Sequence, residues 1–160
     1  MSGRFFNSVR PANESSLAPD PLSKESVIQK TTILLVEDDL TVRQALTNAL
    51  AFENFGVVEA ATSDEALRGL AANSIDVVLL DLDLGVENGG DTFEQLKKIQ
   101  PTLPAVLMSA RADHRAAFSA HGVNAVMEKP LDLPLLFRVL STLATRAHGT
   151  GSRGACACPA

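Results

Sequence analysis

Short apolar runs recur five times along the chain, and each stops on an acid or another polar residue. Thr32–Val36 runs into Glu37-Asp38-Asp39, Val77–Leu80 into Asp81, Ala105–Met108 into Ser109 and Ala125–Met127 into Glu128-Lys129-Pro130, while Val57-Val58 is the fifth run. Continuous rather than alternating apolar residues are what a strand covered on both faces requires, and such short stretches do not make helices of their own. Segments with helical spacing separate them: Val42, Ala45, Leu46, Ala49 and Leu50; Ala66, Leu67 and Leu70; Phe93, Leu96 and Ile99. A short segment to about Ala120 and a last helix carrying Leu133, Leu136, Phe137, Leu140 and Leu143 complete the series. Strand and helix alternating in this way predict an α/β fold, a parallel sheet with helices on both faces.

Right-handed crossovers restrict how such strands are ordered, and a five-stranded flavodoxin-like (βα)5 sheet with strand order 2-1-3-4-5 is expected. Gly56 is read as the end of the first helix, and Ser63 as the N-cap of the second, with Asp64 and Glu65 in its first turn. Residues 1–30 are rich in Ser, Pro, Asn and charge without sustained periodicity, and are expected to be a disordered extension. The domain is placed at residues 31–146, and the small, Gly-rich residues 147–160 are expected to form a flexible tail.

Composition narrows the function classes. A length of 160 residues suits one domain of roughly 120 residues with flanking segments. The net charge of −5 argues against a surface built to grip nucleic acid. No apolar run approaches the ~20 residues of a membrane span, and the N-terminus has no apolar core of a secretory signal. Cys156 and Cys158 sit together near the end and cannot staple the core, so nothing demands an oxidising compartment and a cytoplasmic location is expected.

In open α/β sheets the site lies beyond the carboxyl ends of the strands. The first strand delivers Glu37 and Asp38 there, the third Asp81, the fourth Ser109 and the fifth Lys129. Three carboxylates in one place repel one another, and a hard divalent cation such as Mg²⁺ resolves this while screening an incoming phosphoryl group. Lys129 supplies a positive charge for one phosphoryl oxygen and Ser109 a hydroxyl donor for another. Asp81 is then the nucleophile, because a carboxylate can accept a phosphoryl group as an acyl phosphate.

Ile33 through Asp39, Asp76 through Asp81, Leu107-Met108-Ser109-Ala110-Arg111 and Glu128-Lys129-Pro130, in this order, resemble the receiver domain of two-component response regulators of the chemotaxis-regulator kind, over about residues 31–146. The resemblance implies that Asp81 is the phospho-acceptor. Glu37, Asp38, Asp81 and the backbone carbonyl of Asp83 would hold Mg²⁺, Ser109 and Lys129 would contact the phosphoryl group, and Lys129-Pro130 would be a cis peptide bond. It further implies a sensor histidine kinase or histidine phosphotransfer protein as donor, a downstream protein partner as output, and a signalling rather than an enzymatic role, without nucleic acid or membrane. The sequence departs from the family's pattern at Gly85, where Pro is usual and a looser loop would follow. It departs again at Val126, where the family has an aromatic that turns inward on signalling, and in a slightly short interval between Ser109 and Lys129.

Other readings of the same residues are available. Glu37-Asp38-Asp39 alone would be an ordinary acidic helix N-terminus. The side chain of Asp83 could simply face solvent or pair with Arg111. His114, His121 and His148 lack ligand spacing, and the Gly residues at 85–90 are not followed by the Gly-Lys-Ser/Thr of a phosphate-binding loop. Leu79-Leu80-Asp81-Leu82-Asp83 also resembles the Asp-x-Asp motif of haloacid-dehalogenase-like phosphatases. Those place their metal-binding acid pair after the lysine, whereas here it comes before. A receiver-like interaction module that works without phosphorylation is the remaining alternative.

Overall fold

A strand whose side chains are apolar on both faces has to be covered twice, and the chain does this with two separate cores. The computed structural model describes residues 30–85, 87–111, 118 and 122–149; the proposed N-terminal extension, His114, His121, Cys156 and Cys158 and the side chain of His148 lie outside the described residues. Strands β1 (Thr32–Val36), β2 (Gly56–Ala60), β3 (Val77–Asp81), β4 (Ala105–Ser109) and β5 (Ala125–Glu128) form one parallel sheet in the order β2-β1-β3-β4-β5. Leu34, Val36, Val78, Leu80 and Leu107 point to one face. They pack there on Ala66 and Leu70 of α2 (Ser63–Ala72) and on Phe93 and Leu96 of α3 (Gly89–Ile99). Ile33, Leu35, Val77, Leu79, Val106 and Met108 alternate with them and point to the other face. That face meets Leu46 and Leu50 of α1 (Leu40–Phe52) and Leu136 and Leu140 of α4 (Leu133–Gly149). Phe118, in helical conformation before β5, sets its ring edge-on to Phe93 at 6.5 Å between centroids.

Several local boundaries differ from the sequence reading, each for a stereochemical reason. The residue that ends α1 is Asn54, in the left-handed region at φ 66°, with Phe55 N–H returning to Leu50 O at 3.0 Å; Gly56 instead opens β2. The N-cap of α2 is Thr62, extended at φ −139°, whose hydroxyl accepts from Glu65 N–H at 3.2 Å. Ser63 is therefore free to serve another segment, and its amide and hydroxyl both donate to the Glu87 carboxylate beyond β3. Helix α4 continues through Gly149, past the domain boundary placed at residue 146.

Strand register sets the relative heights of the strand ends. Val36 pairs with Leu80, so Glu37 and Asp81 are the next residues on neighbouring strands. Asp81 pairs with Met108 and Ser109 with Glu128, which leaves Ser109 one residue and Lys129 two residues beyond the level of Asp81. Helix α3 begins directly against this edge: a Cβ at Gly89 would stand 2.6 Å from Leu82 Cα and still closer to the Asp81 carbonyl oxygen, all of it backbone. The start of α3 and the end of β3 can approach this closely only at glycine. Replacing Gly89 with Ala should lower unfolding free energy by about 1–3 kcal/mol through overpacking, read as a shifted urea midpoint. An unchanged midpoint would mean that the α3–β3 contact is not tight.

Candidate functional site

Asp81 ends β3 with 1% of its surface exposed, and Glu37, one residue past β1, keeps 2%. The backbone holds both in place: Glu37 N–H donates to Ala60 O at 3.0 Å and Leu82 N–H to Met108 O at 2.9 Å. Lys129 N–H donates to Ser109 O at 2.8 Å, next to a cis peptide bond to Pro130, as the resemblance implied. Its ammonium lies 2.7 Å from Asp81 Oδ2 and 3.1 Å from Glu37 Oε2. Carboxylate oxygens of Glu37, Asp38 and Asp81 all lie within 4.8 Å of one another. Asp38 is exposed at the mouth, while Asp39 turns away to cap α1, accepting from Thr41 N–H at 2.8 Å and Val42 N–H at 2.9 Å.

The electrostatics follow from three acids and one ammonium. Burial, and then the nearby charge of Asp81, push the Glu37 carboxyl above the usual carboxylate range, although its hydrogen bond from Lys129 opposes this. Burial alone would lower the Lys129 pKa, but the hydrogen bonds to Asp81 and Glu37 outweigh it and raise the value above that of a free lysine. The ammonium therefore stays charged at any physiological pH.

Two loops close the site. In the loop after β3, Asp83 N–H donates to Asp81 Oδ1 at 3.1 Å, and the Asp83 carboxylate accepts from Ala110 N–H at 3.0 Å. The side chain thus bridges to the loop after β4 rather than only facing solvent. The Asp83 carbonyl accepts from Gly85 N–H at 3.0 Å and retains a second lone pair. Gly85 has φ +37°, which proline cannot adopt, and a Cβ there would stand 2.8 Å from Asp38 Oδ2. Glycine is the residue this turn requires beside Asp38, which accounts for the departure from proline without invoking looseness. Ser109 is fully buried, and its hydroxyl oxygen accepts from Arg111 N–H at 3.0 Å. Glu87 anchors the same loop to the start of α2, and its hydrogen bonds from Ser63 hold its carboxyl below the usual range.

Glu37, Asp38, Asp81 and Lys129 are brought into one cluster, with Ser109 at the end of β4 and Asp83 on the loop after β3 beside it. The sequence reading did not single out Arg43, whose guanidinium donates to the Glu37 carbonyl at 2.7 Å and the Asp38 carbonyl at 3.2 Å. A signal was available: a cation near a helix N-terminus opposes the helix dipole and needs a compensating partner.

Residues 33–141 match the family model described as the response regulator receiver domain. The transcriptional regulatory protein GlrR of Escherichia coli (strain K12) is 31% identical over 124 residues, 76% of this chain and 28% of that protein. The DNA-binding transcriptional regulator NtrC of Salmonella typhimurium is 32% identical over 108 residues, 66% of this chain and 23% of that protein. The chain thus spans about a quarter of the length of these relatives. A crystal structure of a response regulator receiver domain protein from Clostridium thermocellum superposes with a TM-score of 0.70 at 25% identity, covering 75% of this chain and 98% of that one. Because NtrC is a DNA-binding regulator, the net charge of this segment does not carry the expected exclusion of nucleic acid. Among the described residues no helix is long and apolar enough to cross a membrane. A family model running from β1 into α4 and a fold shared with a solved receiver agree, and the chain belongs to the response regulator receiver domain family of two-component signalling.

Proposed function

We propose that this receiver accepts a phosphoryl group on Asp81 from the phosphohistidine of a sensor histidine kinase or a histidine phosphotransfer protein, in the cytoplasm, and thereby switches binding of a downstream protein. The observation that carries the reading is the charge surplus at the sheet edge: three carboxylates have oxygens within 4.8 Å of one another, and the Lys129 ammonium pairs with two of them. Such a donor set of hard oxygens suits Mg²⁺, which Glu37, Asp38, Asp81 and the Asp83 carbonyl would hold. When bound, the ion supplies positive charge that lets an anionic phosphoryl group approach the acids. In the transfer, an Asp81 carboxylate oxygen attacks phosphorus, the bond from phosphorus to the imidazole nitrogen breaks, and that nitrogen leaves with the electron pair. Lys129, kept charged by its two carboxylate partners, is available to a phosphoryl oxygen. The Ser109 hydroxyl, at the neighbouring strand end, would contact another. The role is signalling rather than turnover, with residues 31–146 as the receiver unit between an N-terminal extension and a tail.

Acetyl phosphate with Mg²⁺ should add a single acid-stable, base-labile phosphoryl mass to the chain, and Asp81→Asn should abolish it. Labelling that survives in the variant, or that proceeds without the metal, would overturn the assignment of Asp81.

The output follows from what a new dianion on Asp81 touches. Its charge repels the Asp83 carboxylate, which at present holds Ala110 N–H, and it attracts the Ser109 hydroxyl. Val126 offers no ring to swing. Hydrogen exchange with and without beryllofluoride should therefore change at residues 109–118 and leave residues 124–128 nearly unaltered. Changes confined to 124–128 would mean that β5 carries the signal instead.

A further inference from the structure

The turn between β1 and α1 carries two of the three clustered acids, and nothing in a short loop prevents like charges from splaying apart. Asp39 fixes one side of this turn by capping α1. Arg43 fixes the other: its Nη1 reaches back to the Glu37 and Asp38 carbonyl oxygens at 2.7 and 3.2 Å, and its Nε lies 3.4 Å from the Glu59 carboxylate on β2. The Arg43 side chain is only 13% exposed, so this is a packed arrangement rather than a waving surface cation.

We propose that Arg43, oriented by Glu59, is a positioning residue for the divalent cation site: it grips the backbone of Glu37 and Asp38 so that both carboxylates already face Asp81 before the ion arrives. This rests on the cation site proposed above and adds a role outside the ligand set. Two features of the geometry support it. The guanidinium contacts the carbonyls and not the carboxylates of the acid pair, so it braces the ligands without competing with the ion for them. Glu59 accounts for that choice, because it engages the Nε edge and balances the positive charge, leaving the Nη edge for the carbonyls. Without Glu59 the guanidinium would lose the carboxylate that orients its Nε edge. A lysine at 43 would keep the charge and lose the planar fork, so charge and geometry can be separated.

The test is Mg²⁺ titration of the full chain by calorimetry, with metal-free melts in parallel, for wild type, Arg43→Lys, Arg43→Met and Glu59→Gln. Loss of an outer partner of a ligand set weakens binding by about tenfold or more. Arg43→Lys and Arg43→Met should both raise the Mg²⁺ Kd by about tenfold, and Glu59→Gln should raise it too. The metal-free melting temperature of Arg43→Lys should stay close to wild type. Three outcomes would overturn the proposal. A fall in melting temperature with an unchanged Kd would make Arg43 structural only. Tighter Mg²⁺ binding in Arg43→Met would show that its charge merely repels the ion. A wild-type chain that takes up no Mg²⁺ would remove the cation site itself, a failure of the parent reading that the variants cannot mimic.

Discussion

Lys129 stands between Asp81 and Glu37, and much of the sheet edge is arranged around that ammonium. A buried carboxylate without a partner is strongly unfavourable, and two of them side by side are worse. One ammonium serves both at 2.7 and 3.1 Å, but Asp38 is left to the solvent side and the local balance remains negative. Burial first, and then the charge of Asp81, raise the Glu37 pKa above the usual carboxylate range. A structure assembled only for stability would gain by replacing these acids with apolar residues of similar size. The sheet instead delivers them to adjacent positions by register, which is how a site tuned to a cation and an anionic ligand would be built.

The surrounding backbone keeps this unfavourable cluster in place. Gly89 lets α3 start against the carbonyl of Asp81, and Gly85 takes a left-handed turn past Asp38. Asp83 and Glu87 tie the β3–α3 loop to the β4 end and to α2 respectively. Of these, the Asp83 bonds to Asp81 and Ala110 lie directly beside the clustered acids. On the proposed function, that bridge is the contact a new charge on Asp81 would disturb.

How far the sequence displays this depends on the distance over which each interaction acts. The strands, and the meeting of polar residues at one sheet edge, were legible because burial on both faces demands continuous apolar runs, and the residues that follow parallel runs emerge at the same edge. Glu37, Asp38, Asp81, Ser109 and Lys129 all follow from that rule. Contacts that depend on how two loops meet were not legible. Nothing in the order of residues joins Asp83 to Ala110 or Ser63 to Glu87, which are 27 and 24 positions apart. Helix ends also turned on alternatives of similar propensity, Thr62 over Ser63 and Asn54 over Gly56, decided by backbone angles.

The surplus of negative charge at the sheet edge is explained by a cation that would bind there. Melting Asp38→Asn and wild type across a Mg²⁺ titration tests it most directly, because removing one of three clustered acids has opposite effects with and without the ion. Without Mg²⁺ the variant should melt above wild type, since repulsion is relieved. With Mg²⁺ wild type should gain stability steadily, and the variant should respond far less. An equal Mg²⁺ response in the two proteins would contradict the central claim.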